Sequence, residues 1–287
     1  TLYDQVIGSS GFPHRVRIYA PVGTHETLLA YLVRRLLENG ANSSFVNQIV
    51  DENTDMDTLL QSPVAAAQAD AGAMHAGVPL PRRLYGAARE NAQGWDLSNE
   101  NTLNALQQAM NAAAQTPLAA KSLVTSRLKK ADTAAAREVR NPAHHADVVG
   151  TAAFLNADAV ATVVGSAGAA YKNWSQTPAA QRADCLRRTA DLLEQHAPEL
   201  MMLAVREAGK TLSNAVAEVR EAVDFCRYYA AQAETVCASR PALGVIAAIS
   251  PWNFPLAIFI GEVSAALAAG NTVVAKPAEQ TSLIAYR

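Results

Sequence analysis

The stretch Ile249-Ser-Pro-Trp-Asn-Phe-Pro255 stands between two apolar segments of different character. Before it, the apolar run from Leu243 to Ile249 is typical of a buried strand. After it, an Ala-rich segment at residues 257–269 predicts a helix, and the apolar run at residues 272–275 predicts a second strand. Two short apolar strands around one helix indicate a parallel β-α-β unit with both faces covered, so the sequence predicts an α/β fold.

The two prolines of this stretch restrict its backbone. Pro251 and Pro255 fix their own φ angles and limit the residues before them, which holds the loop in one arrangement at a strand's carboxyl end. The Asn253 amide can donate hydrogen bonds to an oxyanion there, an effect worth about 3 to 4 kcal/mol in catalysis. The alternative is a rigid turn in which Trp252 and Phe254 are core anchors.

Lys276-Pro-Ala-Glu279 follows the second strand and should open onto the same sheet edge. A Lys and a Glu three residues apart can hydrogen-bond the paired hydroxyls of a ribose without a glycine-rich phosphate loop. A carboxylate at Glu279 would repel a 2′-phosphate, which favours NAD over NADP. The alternative is a surface ion pair between Lys276 and Glu279.

Together, Ile249–Pro255 and Ala266–Thr281 resemble the aldehyde dehydrogenase superfamily in a nearly continuous match. The resemblance implies a Rossmann-like NAD-binding domain in which Asn253 stabilises the thiohemiacetal oxyanion. It also implies that Lys276 and Glu279 hold the adenosine ribose. The residues implied to line the nicotinamide channel are Ile249, Ser250, Pro251 and Trp252.

In that family the nucleophilic cysteine, the general-base glutamate and the pyrophosphate turn would lie beyond Arg287. Of the cysteines present, Cys185 and Cys226 occur in amphipathic helix patterns and Cys237 near a helix end, so packing is their expected role. The expectation is therefore that these residues alone are catalytically inactive.

A strand, a turn and a helix are predicted near the start of the chain. The alternating run at residues 15–20 indicates the strand, Thr24 is the expected N-cap, and the helix should run to Glu38. Asn39-Gly40 then predicts a left-handed C-cap.

The same helix carries Tyr31, Arg34, Arg35 and Glu38 in one sector, opposite an apolar half. Two guanidinium groups beside a phenol can hold a carboxylate through charge-assisted hydrogen bonds. The alternative is a solvated helix face.

Arg17–Glu26 and Leu29–Asn42 closely resemble the last strand and helix of proline dehydrogenase (β/α)8-type barrels. By this resemblance, Arg34 and Arg35 bind the carboxylate of proline. The other residues implied to contact substrate or the adenine end of FAD are Tyr19, Tyr31 and Glu38.

Both signatures in this order resemble one family, the bifunctional proline utilisation A proteins of bacteria. The expected domains are residues 1–60, the end of the barrel; 61–139, a helical connector; and 140–287, the N-terminal part of the aldehyde dehydrogenase domain. The resemblance implies that FAD-dependent oxidation of proline gives pyrroline-5-carboxylate, which opens to glutamate semialdehyde for NAD-dependent oxidation to glutamate. It further suggests a cytoplasmic homo-oligomer, coupled peripherally to the inner membrane or to quinone.

Within the connector, strong helical periodicity is confined to about residues 101–114. Because the connector also contains Leu84, Tyr85, Trp95 and Leu97, parts of it are expected to pack against the flanking domains. Further on, Thr177-Pro178 predicts an N-cap followed by proline at the first helical position.

Composition argues against several functional classes. The formal net charge is −2, from 24 basic and 26 acidic residues, which gives no electrostatic reason to expect nucleic acid. Three cysteines favour a reducing cytoplasm over a secreted disulfide framework. The histidines show no metal-ligand spacing, so no metal site is predicted.

Two other interpretations remain open. One is a truncated, non-catalytic scaffold that binds nucleotide or partner subunits, and it predicts a natural stop codon near Arg287. The other is a monofunctional aldehyde dehydrogenase with an unrelated N-terminal extension, which barrel sequence upstream of Thr1 would exclude.

Overall fold

The computed structural model describes residues 21–40, 45–69, 71–73, 77–124, 128–237 and 239–287. These residues belong to two compact units, which divide after residue 76. The strand predicted at residues 15–20, with Tyr19, lies outside the described residues. Within the described part, no helix is both long and apolar enough to cross a membrane.

The described part of the N-terminal unit contains four helices: α1 (His25–Gly40), α2 (Phe45–Val50), α3 (Met56–Leu60) and α4 (Pro63–Ala69). Helix α1 confirms the predicted helix. The Thr24 carbonyl accepts hydrogen bonds from the N–H groups of Thr27 and Leu28 at 3.2 and 3.0 Å, which starts the first turn. The predicted left-handed cap is wrong, because the helix continues through Gly40 and the φ of Gly40 is not positive.

The apolar half of α1 faces solvent. The exposed fraction of its large apolar side chains rises from 45% at Val33 to 71% at Leu36 and 73% at Leu37. An apolar stripe of this width normally packs against another element. The described residues of the N-terminal unit therefore do not cover the apolar face of α1.

The first α-helix of the C-terminal unit is α5 (Glu100–Ala113), which confirms the helix predicted in the connector. The Asn99 side chain caps α5 by accepting from the N–H groups of Asn101 and Thr102 at 3.0 and 3.2 Å. The 3₁₀ turns of this unit lie at Pro81–Arg83, Lys130–Asp132, Ala157–Ala159 and Glu279–Thr281.

A three-stranded sheet follows α5, formed by β1 (Leu118–Ala120), β2 (Arg137–Asn141) and β3 (His144–Ala152). The central strand β3 is parallel to β1 and antiparallel to β2. This sheet was not predicted, because β2 and the start of β3 are largely exposed and lack an apolar alternation.

Helices form the centre of this unit: α6 (Val160–Trp174), α7 (Ala179–Gln195), α8 (Ala197–Ala208) and α9 (Leu212–Thr235). Met201 and Leu203 on α8 pack with Val223 and Cys226 on α9, and each side chain is at most 1% exposed. Gly209 ends α8 with a left-handed φ of 67°, so the chain turns sharply between α8 and α9.

The predicted β-α-β unit is confirmed. It consists of β4 (Val245–Ile249), α10 (Ala257–Ala268) and β5 (Thr272–Lys276), and β4 pairs with β5 in parallel. A final helix, α11 (Ser282–Tyr286), follows β5. The fold class is α/β, as predicted.

The predicted N-cap of α7 is wrong. The Thr177 hydroxyl donates to the Asn173 carbonyl at 3.1 Å, so it is engaged with the preceding helix. The Pro178 carbonyl starts α7 instead, because it accepts from the N–H groups of Gln181 and Arg182 at 3.0 and 3.1 Å.

The prediction that parts of the connector pack is confirmed at Trp95 and Leu97, which pack against the core of the C-terminal unit. Leu84 and Tyr85 are 57% and 45% exposed, so they belong to a part of the connector that does not pack. The Tyr85 ring instead lies 3.7 Å from the guanidinium carbon of Arg89, a cation–π contact that needs no burial.

Candidate functional site

The two predicted loops leave the sheet at neighbouring points. The β4–β5 register pairs Ile249 with Lys276, and the Ser250 N–H donates to the Lys276 carbonyl at 3.2 Å. The loop carrying Asn253 and the segment Lys276–Glu279 therefore open at one carboxyl edge. Ligands of parallel sheets bind at such edges.

The loop at residues 251–255 presents polar and aromatic groups to solvent. Asn253 is exposed, and Trp252 and Phe254 beside it are 55% and 41% exposed. The alternative in which the two aromatic residues anchor a core is therefore wrong. Pro255 is fully buried and fixes the end of the loop. An exposed amide on a loop fixed at its end is suited to donate to an oxyanion.

A buried carboxylate holds the start of α10. Glu218 on α9 is 2% exposed, and its Oε2 accepts from the N–H groups of Leu256 and Ala257 at 3.2 and 2.9 Å. Its Oε1 lies 2.6 Å from Nζ of Lys210. Nζ of Lys210 also lies 4.5 Å from the centre of the Phe254 ring. The loop is thus held at its end and at its side.

Lys276 and Glu279 are exposed at the same edge. Nζ of Lys276 donates to the Pro277 carbonyl at 3.2 Å. Among the described residues, the Glu279 carboxylate makes no hydrogen bond and no ion pair, so the predicted alternative of a Lys276–Glu279 ion pair is not observed. A donor and an acceptor at this spacing fit the two hydroxyls of an NAD ribose.

A second buried carboxylate holds the start of α11. Glu207, at the end of α8, is 4% exposed. Its two oxygens accept from the N–H groups of Leu283 and Ile284 at 2.7 and 2.9 Å. Burial raises the pKa of Glu207 to about 7, and the two backbone hydrogen bonds partly oppose that shift.

The two residues just before the loop, Ile249 and Ser250, differ in exposure. Ile249 is 67% exposed, whereas Ser250 is 5% exposed. The Ser250 hydroxyl donates to Oε2 of Glu262 on α10 at 3.2 Å. The side chain of Ser250 is therefore oriented by α10, and Ile249, Pro251 and Trp252 provide the apolar surface beside Asn253.

The predicted cluster on α1 lies on a solvated face. Arg35 pairs with Glu38 through contacts of 2.6 and 2.8 Å, and its guanidinium carbon lies 5.4 Å from the centre of the Tyr31 ring. The side chains of Arg35 and Glu38 are 45% and 52% exposed, and Arg34 is exposed. Arg35 and Glu38 therefore neutralise each other on a face that is open to solvent, and among the described residues of this unit nothing encloses the cluster.

The cysteines lie apart from the Asn253 loop in sequence and are free thiols. Cys226 is fully buried, and its pKa is raised by burial to about 12, so it stays protonated and packs in the core as predicted. Cys185 and Cys237 are partly buried. Among the described residues, no group of three His, Cys, Asp or Glu side chains could hold a metal ion.

Sequence reasoning missed the residues that support the two loops: Glu207, Lys210 and Glu218. A signal for them exists. Glu207 lies four residues after Leu203, and Glu218 lies three after Ala215, so both acids interrupt apolar helix stripes. A carboxylate in such a stripe needs buried hydrogen-bond donors, and here backbone N–H groups supply them.

Comparison with known families finds a match at each end of the sequence. The sequence profile of the aldehyde dehydrogenase family matches residues 128–287, and that of proline dehydrogenase matches residues 1–48. The chain is 49% identical over 299 residues to the bifunctional protein PutA of Klebsiella aerogenes. That match covers 99% of this chain and 22% of the relative, so the chain spans about a fifth of the curated relative.

Two solved structures agree with this assignment. Proline utilization A from Bdellovibrio bacteriovorus, inactivated by N-propargylglycine, is 30% identical with a TM-score of 0.71, covering 93% of this chain and 28% of that one. The 1-pyrroline-5-carboxylate dehydrogenase from Thermus, solved with bound NAD, is 28% identical with a TM-score of 0.62, covering 73% of this chain and 42% of that one. The similarity to bifunctional proline utilisation A proteins is confirmed.

Proposed function

The chain belongs to the aldehyde dehydrogenase family, and from that premise we propose that residues 140–287 carry part of an NAD-dependent site for glutamate γ-semialdehyde. The observation that carries this proposal is the shared strand edge, where the loop with the exposed Asn253 and the segment with Lys276 and Glu279 both leave the sheet. The neutral amide suits an aldehyde oxygen that gains negative charge, and the Lys–Glu pair suits a ribose.

Each residue at the edge has a separate role in the proposal. Asn253 donates its amide hydrogen bond to the oxyanion, and Pro251 with Trp252 excludes water beside it. Lys276 donates to a ribose hydroxyl, and Glu279 accepts from one. When bound, NAD supplies the hydride acceptor of the reaction. By resemblance to the aldehyde dehydrogenase family, we assign the nucleophilic thiol and the general base to residues outside these 287. Cys226 is buried and protonated, so it is not suited to act as the nucleophile.

The N-terminal residues suggest a second activity of the whole protein. The match of residues 1–48 to proline dehydrogenase supports FAD-dependent oxidation of proline to pyrroline-5-carboxylate. In this proposal Arg34 and Arg35 bind the proline carboxylate, Tyr19 and Tyr31 contact the substrate, and Glu38 lies towards the FAD adenine. Binding of proline would require Arg35 to exchange Glu38 for the substrate carboxylate.

The domain limits and cellular setting belong to the same proposal. Residues 1–60 form the end of the barrel. Residues 61–139 form the connector, and residues 140–287 form the N-terminal part of the aldehyde dehydrogenase domain. The protein would be a cytoplasmic homo-oligomer, with peripheral coupling to membrane or quinone.

Two assays on the full-length protein that carries this chain test the proposal. Pyrroline-5-carboxylate should support NADH formation, with NADP a poorer acceptor because Glu279 repels a 2′-phosphate. Proline should reduce an artificial electron acceptor without NAD. A protein that binds NAD but performs neither reaction would be the scaffold of the alternative interpretation, and one active only on the aldehyde would be a monofunctional dehydrogenase.

A further inference from the structure

The corner between α8 and α9 contributes a buried carboxylate to each of the two loops at the sheet edge. Glu207 lies just before Gly209, and Glu218 lies in the second turn of α9. Both side chains are less than 5% exposed. Each side chain accepts hydrogen bonds from two successive backbone N–H groups at the start of a helix, as described above. The two helices, α10 and α11, are the ones that follow the two loops.

We infer that Glu218 and Glu207 are positioning residues for the two halves of the site. Glu218, with Lys210, orients the loop that carries Asn253, and Glu207 orients the segment that carries Lys276 and Glu279. This inference rests on the proposed NAD-dependent function.

The geometry around Glu218 fixes the residues that follow Asn253. Leu256 is three residues after Asn253, and its N–H is bound to Oε2 of Glu218. Phe254 follows Asn253 directly, and its ring is in contact with Lys210, whose charge Glu218 balances at 2.6 Å. Loss of the Glu218 charge would leave the Lys210 ammonium unpaired in a position that is only 13% exposed.

The geometry around Glu207 fixes the ribose-binding segment only at its end. Leu283 is four residues after Glu279, and its N–H donates to Oε1 of Glu207 at 2.7 Å. Among the described residues, no ion pair of Glu207 is present, so its hydrogen bonds to the chain are those to the backbone of α11. The two carboxylates therefore act on different loops and can be tested separately.

The test uses Glu218→Gln and Glu207→Gln in the full-length protein, with kcat for pyrroline-5-carboxylate measured at saturating NAD and the Kd of NAD measured by calorimetry. Glu218→Gln should lower kcat about tenfold or more, since a small displacement of Asn253 weakens the oxyanion contact. Its Kd for NAD should stay within about twofold of the wild-type value. Glu207→Gln should raise the Kd of NAD about fivefold or more and leave kcat within about twofold.

Amide hydrogen exchange supplies a readout that is independent of activity. Glu218→Gln should speed exchange at Leu256 and Ala257, and Glu207→Gln should speed it at Leu283 and Ile284. Glu234→Gln is the matched control, because Glu234 is a carboxylate at the other end of α9 that forms an exposed pair with Arg187 at 2.6 Å. This control should change neither kcat nor the Kd.

If a glutamine variant does not fold, a milder change replaces it. In Lys210→Met, Glu218 still accepts hydrogen bonds from the N–H groups of Leu256 and Ala257. The contact between the Lys210 ammonium and the Phe254 ring is lost, so kcat should still fall. Glu207→Asp keeps the charge but shortens the reach to α11, so the Kd of NAD should still rise.

The positioning roles require a wild-type protein that binds NAD and oxidises the aldehyde. Given that, they would be overturned if each variant changed kcat and the Kd of NAD alike, or if it changed neither. A wild-type protein that neither binds NAD nor oxidises the aldehyde would instead overturn the proposed function.

Discussion

The two compact units differ in where they place charge and apolar surface. In the N-terminal unit, Leu36 and Leu37 are more than 70% exposed, and the Arg35–Glu38 pair lies in solvent. In the C-terminal unit, Met201 is fully buried and Glu218 is buried within a hydrogen-bonded network. The C-terminal unit thus has its own core and supports its own loops, whereas α1 needs a surface that the described residues do not provide.

Truncation of a leucine should destabilise the chain strongly in the core of the C-terminal unit and weakly on the exposed face of α1. Leu203→Ala should lower the free energy of unfolding of the 287-residue chain by about 3 to 5 kcal/mol, because it leaves a cavity beneath α8. Leu36→Ala in the exposed face of α1 should change it by less than about 0.5 kcal/mol. Urea unfolding followed by circular dichroism measures both values.

The same two substitutions can show whether the two units differ in packing. If Leu36→Ala destabilises the isolated chain as much as Leu203→Ala does, α1 is packed in solution and the contrast between the units is wrong. In the full-length protein, Leu36→Ala should become costly, since the proposed barrel would cover that face.

A second prediction separates the two proposed activities. Asn253→Ala in the full-length protein should reduce kcat for the aldehyde about 100- to 1000-fold, which corresponds to about 3 to 4 kcal/mol of transition-state stabilisation. Its rate of proline oxidation should be unchanged. Arg35→Ala should show the reverse pattern, with a raised KM for proline.

Asn104→Ala is the control for Asn253→Ala, because Asn104 is an exposed amide on α5. Equal loss of both activities in Asn253→Ala would indicate misfolding or a shared site, and the separation of functions between the units would fail.

A third prediction concerns pH and Glu207. Its pKa in the folded chain is about 7 against an ordinary 4.5, so the folded state favours the protonated acid. Proton binding by Glu207 therefore stabilises the folded chain. This stabilisation is fully present below about pH 4.5 and is lost as pH rises through about 7. The shift corresponds to a loss on the order of 3 kcal/mol.

Urea midpoints measured between pH 4.5 and 8 test this dependence. Glu207→Gln should flatten the curve, because the amide does not titrate. Glu38→Gln, at an exposed site on α1, should leave the curve unchanged, and a flat wild-type curve would show that Glu207 does not titrate in this range.

Two ion pairs should differ slightly in how much they contribute to the free energy of unfolding. Asp147 on β3 accepts from Arg206 on α8 at 2.5 and 3.0 Å, and these hydrogen bonds, with one from Asn141, lower its pKa to about 2. Arg206→Ala should cost about 1 kcal/mol at neutral pH, and Arg35→Ala less than about 0.5 kcal/mol because its pair is exposed.

The contribution of the Asp147 carboxylate to the free energy of unfolding is present above about pH 3.8 and is lost as pH falls through about 2. Chemical unfolding of the two variants at pH 7 and of the wild type at low pH measures these effects. Equal costs for Arg206→Ala and Arg35→Ala would show that burial of the pair adds nothing.

The parts of the fold that could be predicted are those whose burial follows a simple period. The strands β4 and β5 each contain a run of apolar residues, and α5 has a clear helical stripe, so their positions were evident in the sequence. The hairpin of β2 and β3 was missed, because polar residues such as Arg137 and His144 occupy much of it. Its pairing depends on backbone contacts that side-chain pattern does not encode.

The candidate site shows the same division. Asn253, Lys276 and Glu279 follow from strand ends and prolines, which are local features. Glu207 and Glu218 depend on which helix ends meet them, and that requires the packing of α8 and α9 against α10 and α11. The exposure of Arg35 depends on which surface covers α1, which local periodicity alone does not specify.

We propose that one protein joins proline oxidation to NAD reduction, with residues of the two activities near the two ends of this sequence. NADH formation by the full-length protein, with proline as the added substrate and an electron acceptor for the flavin, tests this proposal. We expect NADH formation in the wild type, and in Asn253→Ala we expect continued proline oxidation with pyrroline-5-carboxylate accumulating. Proline oxidation without NADH in the wild type, or unchanged NADH formation in Asn253→Ala, would contradict it.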